Sequence, residues 1–280
     1  MSLKGNSRKN NLDQLFSVKN ILSARGFDIR KEDKENNLLI KNIRQRKYPN
    51  GEHLFRIFND FRKRKELLHA ITHSKKTSSD KEVRKLINHA EFAPDRNKFS
   101  YTFEWYMGEL VVRRFSAFAY SYGVEVEDVQ RNETNTYAGD YDVLVVLRNL
   151  NLIYIECKTG KFNRESILKS VGRSLALHCD FVIIMIDNPI HANQLHHKLK
   201  GADHPLLPLH RLNQIQTKGN DASLIYDWMN CYLLTSSGNI EEQIKTVLRI
   251  NQAKKILPQY MFGYENHEFE QLGYTIKTLV

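Results

Sequence analysis

Apolar positions along this chain change their spacing from segment to segment, and those changes divide it into elements. Leu12, Leu15, Phe16, Val18, Ile21 and Leu22 recur at helical spacing, which predicts an amphipathic helix closed by Gly26. Residues 38–43 form a short apolar run of strand type, and Tyr48-Pro49-Asn50-Gly51 reads as a turn. From Leu54 onward, Phe55, Phe58, Phe61, Leu68 and Ile71 predict one continuous helix carrying Arg62-Lys63-Arg64-Lys65 through its middle. Ser79 or Asp80 is placed to cap a third helix reaching His89, and Pro94-Asp95-Arg96-Asn97 breaks the chain.

Residues 100–122 turn helical again, with Phe103, Met107, Leu110, Val111 and Phe115 on the apolar face and Gly123 as the stop. Residues 124–129 then read as a strand. Two more strands, 141–147 and 152–158, are joined by the turn Arg148-Asn149-Leu150-Asn151. A helix over 163–177 places Ile167, Leu168, Val171 and Leu175 on its inner side, and the wholly apolar run 181–186 is a strand buried on both faces. Farther on, residues 226–234 look packed, and Ser236-Ser237-Gly238-Asn239 leads into a helix carrying Ile240, Ile244, Val247, Leu248 and Ile250. These C-terminal elements are read as added layers on the core or as a surface for a homodimer.

The hairpin at 141–158 holds the chemistry. Alternation along a strand puts Tyr154, Glu156 and Lys158 on one face and Ile153, Ile155 and Cys157 on the other. Pairing of the strands brings Asp142, at the entry of one, to Glu156 and Lys158 at the exit of the other. Charged groups ending apolar strands need partners. Two hard carboxylates suit Mg²⁺ or Mn²⁺, which polarises a phosphate and lowers the pKa of a bound water, while a lysine answers the charge that builds on phosphorus. The expectation is metal-assisted phosphodiester hydrolysis, with Glu156 and Lys158 as a plain cross-strand surface pair the ordinary alternative.

Asp142, thirteen intervening residues and then Glu156-Cys157-Lys158 resemble the PD-(D/E)XK nuclease superfamily, with Tyr141 where the family name has Pro. Ile155-Glu156-Cys157-Lys158-Thr159 is also similar to the signature of a branch found in CRISPR-associated nucleases fused to cyclic-nucleotide sensors. Gly139-Asp140-Tyr141-Asp142 departs from that branch's Asn-Glu-x-Asp strand start. The resemblance implies an α/β fold with a restriction-endonuclease-like core of helix, three strands, helix and strand over residues 100–190. It implies DNA as substrate, RNA being the other option, and a further metal-binding acid on the helix before the first strand. Gly108-Glu109-Leu110 is the best match for that acid, with Glu104 as its rival.

Charge sharpens the expected partner. Residues 1–100 hold 24 Lys and Arg against 12 Asp and Glu, whereas residues 101–280 hold 18 against 20, so the positive excess is regional. Arg44, Arg46, Lys47 and the run Arg62, Lys63, Arg64 and Lys65 are candidate phosphate contacts, and Lys161, Arg164 and Lys169 could line a groove beside the metal. A basic, mainly helical region over 1–98 before a nuclease domain over 99–280 is the expected organisation. Its three cysteines lack Cys-x-x-Cys spacing, which argues for reduced thiols. His191, His196, His197, His204 and His210 match no metal signature, and Pro189, Pro205 and Pro208 among them suggest a surface loop. With no apolar run of about 18 residues or more and no signal-type N-terminus, a soluble cytoplasmic protein without a membrane partner is expected. The competing class is a nucleic-acid-binding or assembly protein on the same fold without turnover. A cyclic-nucleotide sensor domain is disfavoured, because the first hundred residues lack alternating strands and helices.

Overall fold

A computed structural model describes residues 15–32, 37–40, 49–74, 77–129, 140–160, 163–188, 213–216, 224–228, 230–236, 238–256 and 276–278. The chain is mixed α/β and divides into two units, the first Met1–Cys157 with Ala176–Cys179 and the second Lys158–Leu175 with Asp180–Val280. In chain order the first unit contains α1 (Val18–Ala24), β1 (Phe27–Glu32), α2 (Pro49–Asn59), α3 (Phe61–Thr72), α4 (Lys81–Ile87) and α5 (Arg96–Phe115). It continues with β2 (Ala119–Asp128), β3 (Tyr141–Val146) and β4 (Leu152–Lys158), the division falling within β4 after Cys157.

Helix α5 is the centre of this unit: residues 102–112 are all buried. A helix enclosed on every side has neighbours all round it. On one side Gly108 lies under the ring of Tyr120, where an added Cβ would sit 2.1 Å from a ring carbon. On another, Tyr106 packs on Phe55 and Phe58 of α2, and its hydroxyl donates to Asn59 at 2.8 Å. Thr102 accepts the N–H of Leu39 at 3.0 Å, tying the segment before α2 to α5. Strands β1, β2, β3 and β4 pair antiparallel in that order.

Aspartates set the helix starts. Asp60, in an extended conformation, accepts from the N–H groups of Arg62 and Lys63, so it ends α2 and begins α3. One helix was expected over this stretch; the break arises because a carboxylate satisfies donors that would otherwise have no partner. Pro49 opens α2 instead of closing a turn, since its missing N–H costs nothing in a first helical turn. Asp80 and Asp95 cap α4 and α5 in the same way. α5 stops at Phe115 with Ser116 in the left-handed region, earlier than the expected Gly123, which lies inside β2.

The expected boundary near residue 98 is not where the units separate. β1, unforeseen from the sequence, adds to β2, and α2 packs on α5, so the first hundred residues belong to the unit that holds the hairpin. Only a bridge from Ile40 to Phe92 is found where a strand over 38–43 was expected; residues 41–43 lie outside the described residues.

The second unit contains α6 (Arg164–Ala176), β5 (Phe181–Ile186), β6 (Asn213–Gln216), β7 (Leu224–Trp228), β8 (Cys231–Thr235), α7 (Ile240–Ile256) and β9 (Ile276–Thr278). β5 and β8 run parallel and are buried along their whole length, as parallel strands usually are. β8, β7, β6 and β9 continue antiparallel. Gln243 of α7 bonds both the N–H and the carbonyl of Thr235, which fixes that helix on β8. None of the three cysteines is in a disulfide, and burial pushes the pKa of the Cys231 thiol far up. Among the described residues no helix is long and apolar enough to cross a membrane.

Two outcomes are expected. Gly108→Ala should lower unfolding stability by about 1–3 kcal/mol in urea, the usual cost of overpacking, and an unchanged midpoint would mean the Tyr120 ring is free to move. Glu66 accepts from Ser78 and Ser79 hydroxyls and from the N–H groups of Ser79 and Asp80, and these bonds, Ser78 foremost, pull its pKa down to about 2. The resulting stability is complete above the ordinary carboxylate pKa and is lost as pH falls toward about 2. Glu66→Gln should flatten the acid limb of a stability–pH curve.

Candidate active site

The site grows from the end of the β3–β4 hairpin. Val143 pairs with Ile155, Leu144 with Tyr154 and Val145 with Ile153, so Asp142 and Glu156 follow at the open end of the ladder. There the Asp142 carboxylate accepts the backbone N–H of Cys157 at 2.7 Å. That bond puts one acid against the peptide that carries the other. Glu156 is buried, 2% exposed, and accepts the hydroxyl of fully buried Tyr154 two residues earlier on the same strand face. The Tyr141 ring meets that of Tyr154 edge-on at 5.2 Å. Apolar β-branched strands place these acids by burying everything around them, and donors from the same hairpin offset the cost of burial.

Lys158 is half-buried and stands at i+2 from Glu156, the position that alternation gives to the same strand face. Its backbone carbonyl accepts the N–H of Asp187 at 2.8 Å. Asp187, a buried acid that takes the Ser236 hydroxyl at 2.7 Å, was not singled out from the sequence. The available signal was an aspartate ending an otherwise apolar strand. Tyr154 was placed correctly on the Glu156 face, but its role as donor to that carboxylate comes from the structure.

Glu109 is not brought to this pair. Tyr120 is opposite Val145 and Val145 opposite Ile153, so these side chains share one face of the sheet, and Gly108 against Tyr120 puts α5 on that face. Tyr154 and Glu156 alternate to the reverse face. Glu109 accepts Tyr120 Oη–H at 2.8 Å and Arg113 Nε–H at 2.5 Å, and Arg113 goes on to Glu52 at 2.6 Å. Burial and the Glu109 carboxylate push the Tyr120 phenol well above its ordinary pKa, which keeps it a donor. Glu104, one turn earlier on the same stripe of α5 as Gly108, is buried too.

The basic run is dispersed by its helix. Arg64 is 1% exposed, donates to the Phe58 carbonyl and lies over the rings of Phe61 and Phe103, so it is no phosphate contact. Lys63 pairs with Glu82 at 2.5 Å, and Lys65 lies over Phe61. Arg62 points to solvent. Consecutive helix positions are about 100° apart, so a run of four cannot share a face. Arg164 opens α6 and Lys169 is exposed on it. Arg44, Arg46, Lys47, Lys161 and the histidines from His191 to His210 lie outside the described residues.

Among the described residues no three His, Cys, Asp or Glu side chains are grouped to hold a metal. Asp142 and Glu156 supply two hard acids at one hairpin end, a donor set that suits a cation retaining several waters, as Mg²⁺ does. No family model matches the sequence, and no curated protein matches it. A solved structure, that of protein VC1899 from Vibrio cholerae, is similar at 12% identity and a TM-score of 0.41, over 85% of this chain and 61% of that one. The chain thus spans about three fifths of that structure's length.

Glu109→Gln should cost about 1–3 kcal/mol of stability by removing the buried charge that Arg113 and Tyr120 bond, while metal affinity measured by calorimetry stays at the wild-type value. A fall in metal affinity would bring Glu109 back to the site.

Proposed function

We propose that this protein is a metal-dependent endonuclease that hydrolyses phosphodiester bonds in DNA on a restriction-endonuclease-like core. The observation that carries the reading is the Asp142 carboxylate held on the Cys157 N–H at 2.7 Å beside buried Glu156. Support also comes from the element order, α5, three strands, α6 and β5, in which the motif occupies the expected strands. DNA as the substrate rests on the sequence resemblance.

In this reading Asp142 and Glu156 would hold the cation, and the Cys157 carbonyl could supply a further oxygen. A bound Mg²⁺ or Mn²⁺ would supply Lewis acidity toward the phosphate and lower the pKa of a water it holds. The Cys157 N–H holds Asp142 in one orientation, so its carboxylate need not be ordered when a ligand arrives. Tyr154 does the same for Glu156. The Lys158 ammonium answers the negative charge that develops on the phosphoryl oxygens.

Binding without turnover is the second reading, and the Tyr154 hydroxyl on Glu156 favours it, since that bond occupies a carboxylate oxygen. Plasmid, linear, branched and single-stranded DNA incubated with Mg²⁺, Mn²⁺ or EDTA separate the two. Cleavage with either metal and none in EDTA is expected; retention of DNA without cutting under every condition would establish the silent form.

The two kinds of site residue should fail differently. Asp142→Ala should lose both metal affinity and cleavage. Lys158→Ala should keep metal affinity and lose about 10²- to 10³-fold in rate, the usual cost of a missing transition-state donor. Wild-type cleavage by Lys158→Ala would remove the hairpin from the mechanism.

A further inference from the structure

Three strand ends lie side by side in the second unit. Lys158 closes β4, Ile186 closes β5 and Thr235 closes β8. β5 and β8 are parallel, so their carboxyl ends point the same way. Asp187, one residue past β5, donates its N–H to the Lys158 carbonyl at 2.8 Å. Ser236, one residue past β8, donates its N–H to the Ile186 carbonyl at 3.2 Å and its hydroxyl to Asp187 Oδ1 at 2.7 Å. Asp187 and Ser236 are buried, so these bonds make the floor of the edge and not its surface. In open α/β sheets, ligands gather outside the carboxyl ends of strands.

Gly160 stands at this edge, exposed and two residues past Lys158. A fold demands glycine for a positive φ or for a neighbour too close to admit a side chain. Gly26 and Gly123 meet the first need, at φ 86° and 56°, and Gly108 under Tyr120 meets the second. Gly160 meets neither: its φ is not among the positive ones, and an added Cβ would have nothing within 4 Å. The fold itself therefore accepts a side chain here. A bare backbone has another use where a second molecule comes close. Beside a lysine that answers phosphate charge, that molecule is a sugar–phosphate chain, whose oxygens reach peptide N–H groups most readily where no side chain screens them.

We infer that the substrate strand crosses this edge in contact with Gly160, and that the bare backbone there sets how closely a phosphate approaches Lys158. The substrate class and the role of Lys158 rest on the nuclease reading; the open space at Gly160 does not.

The test measures binding of a short fluorescent DNA duplex, and of one of its strands alone, by anisotropy in EDTA and with Ca²⁺. Gly160→Ala should weaken binding a few-fold and Gly160→Leu about 10- to 100-fold, the scale of a steric misfit. Neither metal affinity in calorimetry nor the urea midpoint should fall, because a Cβ meets no part of the protein and a side chain narrows the unfolded ensemble. Wild-type binding by Gly160→Leu overturns the contact. So does an equal loss in both variants, the mark of a hinge that needs the freedom of glycine, and so does a midpoint that falls in step with affinity, the mark of a structural glycine. A graded loss of binding in a protein that never cuts supports the contact and sinks the nuclease reading; cutting in Mg²⁺ with wild-type binding by Gly160→Leu does the reverse. A wild type that binds neither duplex nor single strand overturns both.

Discussion

Enclosing α5 on every side is the constraint on which the first unit depends. A helix buried from residue 102 to 112 cannot leave polar groups unmatched, yet it carries Thr102, Glu104 and Glu109 within that span. Thr102 is used to anchor the chain before α2. Glu109 is satisfied by Arg113 and Tyr120, and through Arg113 it ties α2 to the sheet side of the helix. Gly108 lets β2 approach closely enough for the Tyr120 hydroxyl to reach that carboxylate. Packing and charge matching are thus one arrangement, and it commits Glu109 to structure.

That commitment leaves the reverse face of the sheet to the hairpin acids. Glu156 is buried with a phenol on one oxygen, and Asp142 is held by a backbone N–H. Both donors come from the hairpin itself, so the geometry at its open end follows from strand register and not from a loop. Register is strictly specified when both faces are buried, because a slip by one residue would drive Glu156 and Lys158 among Ile153 and Ile155.

Positive charge in the N-terminal third follows a different logic. Four consecutive basic residues look like one patch in a linear reading, but a helix turns them to four directions, and burial removes Arg64 altogether. The grouping that forms instead draws Arg56 of α2 and Lys63 of α3 onto Glu82 of α4, so charge is matched between helices that are far apart in sequence.

By itself the sequence determined the strands of the hairpin, the buried strand Phe181–Ile186, the cap at Asp80 and the co-location of Asp142 with Glu156, because these depend on period, turn chemistry and the alternation of side chains. Local rules of that kind act over a few residues and can be read from a line of letters. The tertiary structure alone decided that β1 joins β2, that Asp60 splits one expected helix into two, and that Glu109 faces Arg113 and Tyr120 instead of the acid pair. Each of those outcomes depends on what packs against the segment. A polar side chain takes whichever partner the fold brings within hydrogen-bonding distance, and sequence spacing does not show which partner that will be.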